Sequence, residues 1–337
     1  MARAPRRRRS ARRFALPARW GGTSGARSSA PPARSRRRRP ALRRLFLAFA
    51  EAVVSRVFYD PAVAGYEAPG HPEAPFRVLR SAERLRAAGI RLETPPAPVS
   101  EEELSLVHPP SHWDSVRDGS FVDPDTPPLR KIEPIARISV SGALSAMRSA
   151  AGGTPAFSLM RPPGHHAGKE RVCGFCYYNN IAVSVRAALG TGRARIAAIL
   201  DIDVHHGDGT QSIVLGEAAI RFCSLHQVPL YPGSGADSIG NCVNEPLPEG
   251  LDGDGYLKRL EPALEALTAF KPDLLAVSAG FDTYKDDPLA GLKLDAKTYR
   301  KIGGLIAQTG LPRFAVLEGG YADALPVLIE EFLTGFF

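Results

Sequence analysis

Cysteine, methionine and tryptophan are scarce, at 4, 3 and 2 of 337 residues. Four cysteines in a chain of this length do not make a disulfide framework. The fold must therefore rest on a hydrophobic core, and 337 residues suit one large α/β domain or two small ones. Cys173 and Cys176 form a CxxC, but no second CxxC exists to complete a zinc knuckle. They read as a redox pair or, more simply, as small packing residues in a Gly-Phe turn. No apolar run reaches the roughly 18 residues that span a bilayer, so the body is expected to be soluble and cytoplasmic, with no membrane partner. Lysine and acidic residues are missing altogether from residues 1–50, which hold 16 arginines. The formal charge of +8 therefore misleads, because the rest of the chain has 27 of the 43 basic side chains against all 35 acids, a net −8.

The Arg-rich head carries two runs of four arginines, at 6–9 and 36–39, among Ala, Pro, Gly and Ser. Such a segment cannot build a core and is expected to be disordered. Four readings stay open: a nonspecific nucleic-acid-binding tail, an organelle transit peptide, an export signal on the Arg43, Arg44, Leu45, Phe46, Leu47 stretch, or translation from a misassigned start. The export reading suffers from Glu51, which interrupts the apolar stretch. The expected division is a head at 1–54 and one folded domain at 55–337, opening on a strand and turn at Val57, Phe58, Tyr59 and Asp60.

What the body does have is five apolar, strand-like runs that end in polar residues suited to metal or proton chemistry. The richest spans residues 196–210, IAAILDIDVHHGDGT. A buried strand does not end in three carboxylates and two imidazoles without cause, since burying a charge costs several kcal/mol unless it is paired or metal-bound. Strand side chains alternate faces, which predicts Asp201, Asp203 and His205 on one side. Residues 156–160 lead into Arg161, two prolines, Gly164, His165 and His166. Residues 220–225 end at His226, 274–279 at Gly280, Phe281 and Asp282, and 314–317 at Glu318, two glycines and Tyr321. Helix-like stretches at 181–189, 256–270 and 299–308 lie between them. Alternating strand and helix patterns predict a parallel α/β sheet, whose ligands bind at the carboxyl ends of the strands.

Two carboxylates and one imidazole, Asp203, His205 and Asp282, would neutralise a divalent ion and leave positions open, as a catalytic zinc requires. Read alone, Asp282 has a lesser alternative as a helix N-cap after the strand. An imidazole that acts as acid or base needs a carboxylate to fix its tautomer, and Asp201 and Asp208 are free to serve His165 and His166. A His-His pair on a loop would otherwise be plain surface. His206 points opposite to His205 and reads as a supporting or structural histidine. Tyr321 could donate a hydrogen bond to a polarised carbonyl, or simply pack. Phe175 and Tyr231, in Gly- and Pro-containing turns, could line a narrow apolar channel for a linear chain. A metal, a water, a His base and a Tyr donor together make a metal-assisted amide hydrolase.

From about residue 57 to its end the chain resembles the histone deacetylase superfamily of zinc-dependent deacetylases, which includes acetylpolyamine amidohydrolases and acetoin-utilisation proteins. The matching motifs are RPPGHHA at 161–167, GFCYYNN at 174–180, DIDVHHGDGT at 201–210, SLH at 224–226, YPGSG at 231–235, residues 278–289 and EGGY at 318–321. His71, Pro72, Glu73 and Arg77 resemble a further HPE…R segment. The RPPGHHA form is similar to the class II branch. The resemblance implies an arginase/deacetylase-like three-layer α/β/α fold with a single, mainly parallel eight-stranded sheet. It implies catalytic Zn²⁺ on Asp203, His205 and Asp282. It also implies pairing of His165 with Asp201 and of His166 with Asp208, with His166 as base then acid, His165 as an electrostatic aid, and Tyr321 polarising the carbonyl. It implies Phe175, Gly174 and Tyr231 along the tunnel, Leu289 near its mouth, and a rim acid at Asp123 or Asp125. A structural K⁺ is implied at Asp201, Asp203, Ser224 and backbone oxygens of His205 and Leu225.

The expected activity is removal of acetyl groups from lysine side chains of proteins or peptides. The segment from His108 to Arg161 lacks the long insertion associated with acetylpolyamine enzymes, which are the alternative. A two-manganese arginase-type hydrolase would want ligand carboxylates where this chain has His165 and His166. A noncatalytic acyl-lysine or nucleic-acid binding protein, acting through the basic head, is the rival of another class. Nothing in the residues speaks to oligomeric state.

Overall fold

The structure, a computed structural model, describes residues 55–337. The expectations for the Arg-rich head lie outside the described residues. Among the described residues eight strands form one sheet: β1 (Arg56–Phe58), β2 (Leu92–Glu93), β3 (Ala156–Ser158), β4 (Ala197–Asp201), β5 (Ile220–Gln227), β6 (Cys242–Leu247), β7 (Leu274–Ala279) and β8 (Arg313–Leu317). Every pairing is parallel, and the order is β2-β1-β3-β8-β7-β4-β5-β6. The central strands β4 and β7 are buried throughout, as strands covered on both faces must be.

Helices flank this sheet. Among them α4 (Ile132–Ala151) packs on β3 and β8 and against α5 (Asn180–Gly190). In turn α7 (Gly253–Ala269) lies on β5, and α8 (Ala296–Gln308) packs with α9 (Leu325–Phe336). The apolar periodicity predicted α7 and α8 three residues short at their starts. Both begin at side-chain caps that carry no apolar signal: Asp252 accepts the Gly255 N–H at 2.8 Å and Asp295 the Thr298 N–H at 2.9 Å. The long α4 buries serines at core positions. Ser141 and Ser145 are tolerated there by donating to carbonyls one turn back, each at 2.8 Å.

The sheet order decides what meets what. In space β3, β8, β7 and β4 are consecutive, so the four segments leaving their carboxyl ends converge. One expectation fails in detail. Strand β4 stops at Asp201, because the chain turns out of the sheet there, and the alternation that would have put Asp201 beside Asp203 and His205 does not extend past it.

One side of this crevice is tied down by a buried ionic knot. Arg161 leaves β3 with no solvent exposure and reaches Glu73 with Nε and Nη2, each at 2.7 Å. Its Nη1 donates to the carbonyls of Val63 and Tyr66. Arg77, in α1 (Phe76–Ala87), meets the same carboxylate at 3.0 Å. Burial alone would raise the Glu73 acid, but the guanidiniums of Arg161 and Arg77 hold it down to about 2. A carboxylate depressed on folding contributes stability above its unfolded value, here 4.5, and loses it as pH falls toward about 2. Glu73→Gln is therefore expected to cost about 3–5 kcal/mol at pH 7, since it leaves two buried guanidiniums short of a counter-charge. The difference from the parent should shrink below pH 4.5. Urea unfolding at pH 7 and at pH 3 measures both.

Candidate active site

The carboxyl end of β4 carries the charged residues. Asp201 is fully buried; it accepts the Asp203 N–H at 3.1 Å through Oδ1, and its Oδ2 lies 3.1 Å from His165 Nδ1. Asp203 accepts the Gly319 N–H at 2.7 Å and the His205 N–H at 2.9 Å. Asp282, three residues beyond β7, accepts the Val204 N–H at 2.9 Å. One donor atom from each of Asp203, His205 and Asp282 lies within 4.8 Å of the others. Burial and the neighbouring Asp203 charge push the Asp282 acid up. Its Oδ2 is buried and lies 3.2 Å from His205 Nδ1, without hydrogen-bond geometry to any of the described residues. A divalent cation fits this arrangement, as it would neutralise the two carboxylates and take the place between that oxygen and the His205 ring. Gly319 makes room for the cluster, since a Cβ there would run into the carboxylates of both aspartates.

His165 and His166 follow Arg161 on a loop whose backbone is held from β8. The Glu318 carboxylate accepts the N–H groups of Gly164 at 2.7 Å and His165 at 3.1 Å, and the Ser278 hydroxyl at 3.0 Å. The two rings are tilted against each other with centroids 4.1 Å apart. They face different environments. For His166, burial and the charge of His165 outweigh the Asp208 partner at 2.7 Å and push the ring down to about 3, so it is a neutral base. For His165, burial also opposes the cation, but the charges of Asp203 and Asp201 prevail and raise it well above its ordinary value. A cation on Asp203 would draw off part of that effect. Asp208 itself is shared with Arg171; burial opposes its charge, but His166 and Arg171 hold it down to about 2.

These groups line a cavity of about 210 Å³. Its buried end has His165, His166, His205, Gly319 and Tyr321, and its walls include Phe175, Leu230, Tyr231 and Leu289. Asp125 stands exposed at the outer end. The two rim candidates thus separate. Asp125 lines the cavity, its carbonyl 3.0 Å from His71 Nε2, whereas the Asp123 carboxylate accepts the Gly174 N–H at 3.3 Å. Tyr231 reaches Cys173 Sγ with its hydroxyl at 2.9 Å, and both cysteines of the CxxC are free and buried in a short hairpin. Burial pushes the Tyr321 phenol well above 10, leaving it a protonated donor at neutral pH, and its ring lies 4.9 Å from the Arg77 guanidinium.

Phe175 projects into the cavity from a left-handed backbone, φ +70°, and its N–H donates to Thr126 Oγ1 at 2.7 Å. Gly174 precedes it at φ +55°, where a Cβ would sit 2.6 Å from His166 Cδ2. Gly174→Ala is therefore expected to lower turnover by on the order of a hundredfold by displacing the His166 ring, with little loss of metal binding. Steady-state kinetics beside a zinc titration would check it.

Of the residues proposed for potassium, Ser224 is the register partner of Asp201 across β4 and β5, and its hydroxyl lies 2.9 Å from His226 Nδ1. Leu225 is buried beside it. His206 meets Ser234 Oγ at 2.8 Å and Gln211 Oε1 at 3.2 Å, away from the cavity. Sequence reasoning assigned no role to Glu318 or Thr126, and named neither Asp287 nor Arg171. A buried acid at the end of β8 could have marked Glu318; the other three sit in loops or at half-exposed positions without a pattern.

Residues 71–334 match the histone deacetylase domain family, and the chain belongs to it. It is a hydrolase of that family, a deacetylase-type amidohydrolase. It is 37% identical over 286 residues to a probable deacetylase of Methanothermobacter thermautotrophicus, covering 79% of this chain and 85% of that protein. It is 40% identical over 211 residues to acetylpolyamine amidohydrolase 2 of Pseudomonas aeruginosa, covering 59% and 61%. Among solved structures it is similar to the HDA15 HD domain, with TM-score 0.77, 30% identity and 83% and 87% of the two chains covered. It is also similar to an acetylpolyamine aminohydrolase from Burkholderia pseudomallei, with TM-score 0.75, 27% identity and 84% and 98% covered. The all-parallel eight-stranded sheet agrees with the expected fold. No helix of the described residues is long and apolar enough to cross a membrane.

Proposed function

We propose that the chain removes acetyl groups from lysine side chains with the help of a zinc ion, and that residues 55–337 form the unit that does so. The observation that carries this is the meeting, at the buried end of one apolar-walled cavity, of the Asp203, His205 and Asp282 donors, the His166–Asp208 pair and Tyr321. Zinc fits two carboxylates and an imidazole with positions left open, and when bound it would supply a Lewis acid for the acetyl carbonyl and for a water. The walls of Phe175 and Tyr231 admit a linear aliphatic stem, and Leu289 and Asp125 stand where the stem meets its parent molecule.

At the buried end each residue has a task. The neutral His166 Nε2 takes a proton from the attacking water, while Asp208 on Nδ1 fixes the tautomer and steadies the imidazolium. The same proton then passes to the leaving amine. His165, held by Asp201, supplies positive charge near the developing oxyanion. The Tyr321 hydroxyl donates to the carbonyl oxygen, where a well-placed donor is worth about 10²–10³ in rate. Potassium at Asp201, Asp203, Ser224 and the carbonyls of His205 and Leu225 would balance the buried Asp201 charge.

The second substrate reading, an acetylpolyamine, is favoured by the names of the Pseudomonas relatives. Full-length, zinc-supplied protein assayed on an acetyl-lysine peptide and on acetylputrescine in parallel separates the two. Peptide turnover that falls by about 10²–10³ in Tyr321→Phe is the expected result. Turnover of acetylputrescine alone would move the chain to the polyamine branch, and turnover of neither would overturn the reading.

A further inference from the structure

Asp287 belongs to neither the donor cluster nor the histidine pairs, yet its carboxylate joins the two ends of the cavity. It lies in the loop that follows Asp282 and is 7% exposed. Its Oδ2 accepts the backbone N–H of Tyr321 at 2.7 Å, and its Oδ1 accepts the backbone N–H of Leu289 at 3.0 Å. Leu289 stands half-buried toward the outer end and Tyr321 at the buried end of the same cavity.

The residue type matters. A carboxylate offers two acceptor oxygens, one for each N–H; an asparagine offers one, and turns an NH₂ toward the other donor. A buried N–H left without a partner is costly. The chain just before Tyr321 is held from the opposite side, where the Arg77 Nε–H donates to the Gly320 carbonyl at 2.8 Å. Gly320 has φ +117°, and a Cβ there would lie 2.8 Å from Phe281 Cβ. The backbone under the phenol is thus clamped between Arg77 and Asp287.

We infer that Asp287 is a positioning residue that couples the outer end of the cavity to the catalytic tyrosine, so that displacement of Leu289 by a bulky or badly seated substrate is transmitted to the Tyr321 hydroxyl. Selection at the mouth then acts on kcat more than on KM. This rests on the reading of Tyr321 as the carbonyl donor.

The test uses the zinc-loaded full chain and Asp287→Asn, in the parent and in Tyr321→Phe. Kinetics are measured on the acetyl-lysine peptide, and hydrogen–deuterium exchange on segments 284–291 and 318–322. In the parent background kcat should fall by on the order of tenfold to a hundredfold with KM little changed. In the Tyr321→Phe background the same substitution should cost almost nothing more, because both changes act on one group. Exchange should quicken in both segments together. Additive kinetic losses, or quickened exchange in one segment alone, would overturn the inference. Fast exchange of both amides in the parent would overturn it too, whether or not the peptide is a substrate. A parent that turns over no acetyl-lysine would instead count against the proposed function, and the exchange data would still decide the clamp. Should Asp287→Asn not melt cooperatively, Asp287→Glu keeps both acceptor oxygens one methylene out of place and carries the same comparison.

Discussion

Asp282→Asn is expected to abolish hydrolysis and, in chelator-treated protein, to raise the unfolding temperature. Asp282 is fully buried within reach of Asp203 and His205, and burial together with the Asp203 charge works against its own ionisation. Without metal the His205 ring lies between the two carboxylates, its Nδ1 3.1 Å from Asp203 Oδ1 and 3.2 Å from Asp282 Oδ2. Burial opposes its charge but the two carboxylates raise it to about 10, and one imidazolium offsets only one of the two negative charges. The amide keeps the shape and an acceptor for the Val204 N–H while removing one of the repelling charges. Without metal the folded state therefore gains. With metal the order reverses: the parent is stabilised by its ion, by about 4 kcal/mol at a thousandfold excess over Kd, and the variant has lost a ligand. Turnover should drop by on the order of a hundredfold or more, beyond what loss of a group supporting a ligand costs. Melting curves with chelator and with added zinc read both arms. A variant that melts lower in chelator and is still raised by zinc would remove these three residues from any metal site.

His166→Ala should lower kcat by about 10²–10⁴, the range for a positioned acid–base group, with KM close to that of the parent. His165→Ala should cost less. The two rings touch, but their surroundings push them apart. His166 has one carboxylate partner, which also serves Arg171, and is driven neutral by burial and by its neighbour. His165 lies against Asp201 and near Asp203; burial opposes its charge, but in the metal-free site the two carboxylates push it up. The comparison of the two variants on the same peptide is the check, and a larger loss in His165→Ala would exchange their roles. Asp208 keeps Arg171 in the His166 variant, so little stability should be lost.

Much of this site could be read along the chain because parallel α/β folds put chemistry in one place. Asp201, Asp203, His205, His165, His166, Asp282 and Tyr321 all lie within a few residues of the end of an apolar run, and such runs end at one edge of the sheet. The Asp203, His205 and Asp282 cluster, the paired histidines and Tyr321 were visible for that reason. Asp123 and Asp125 were not separable, since both lie on one short loop with the same local composition. Only the docking of that loop against Gly174 engages the Asp123 carboxylate and leaves Asp125 lining the cavity. Asp287 and Thr126 act on backbone N–H groups of residues far along the chain, a relation that no periodicity encodes.

The sequence by itself determined the class of fold, the uneven division of charge between head and body, and the inventory of chemically able residues, because these depend on local pattern and composition. The tertiary structure decided which residues meet. Strands β3, β8, β7 and β4 are neighbours in an order unlike their order in the chain, and that order brings His166, Tyr321 and His205 to one cavity with Asp282 buried behind Gly319. It also decided the opposite directions in which the two histidines are pushed, because burial and the distance to each carboxylate, rather than residue type, set them.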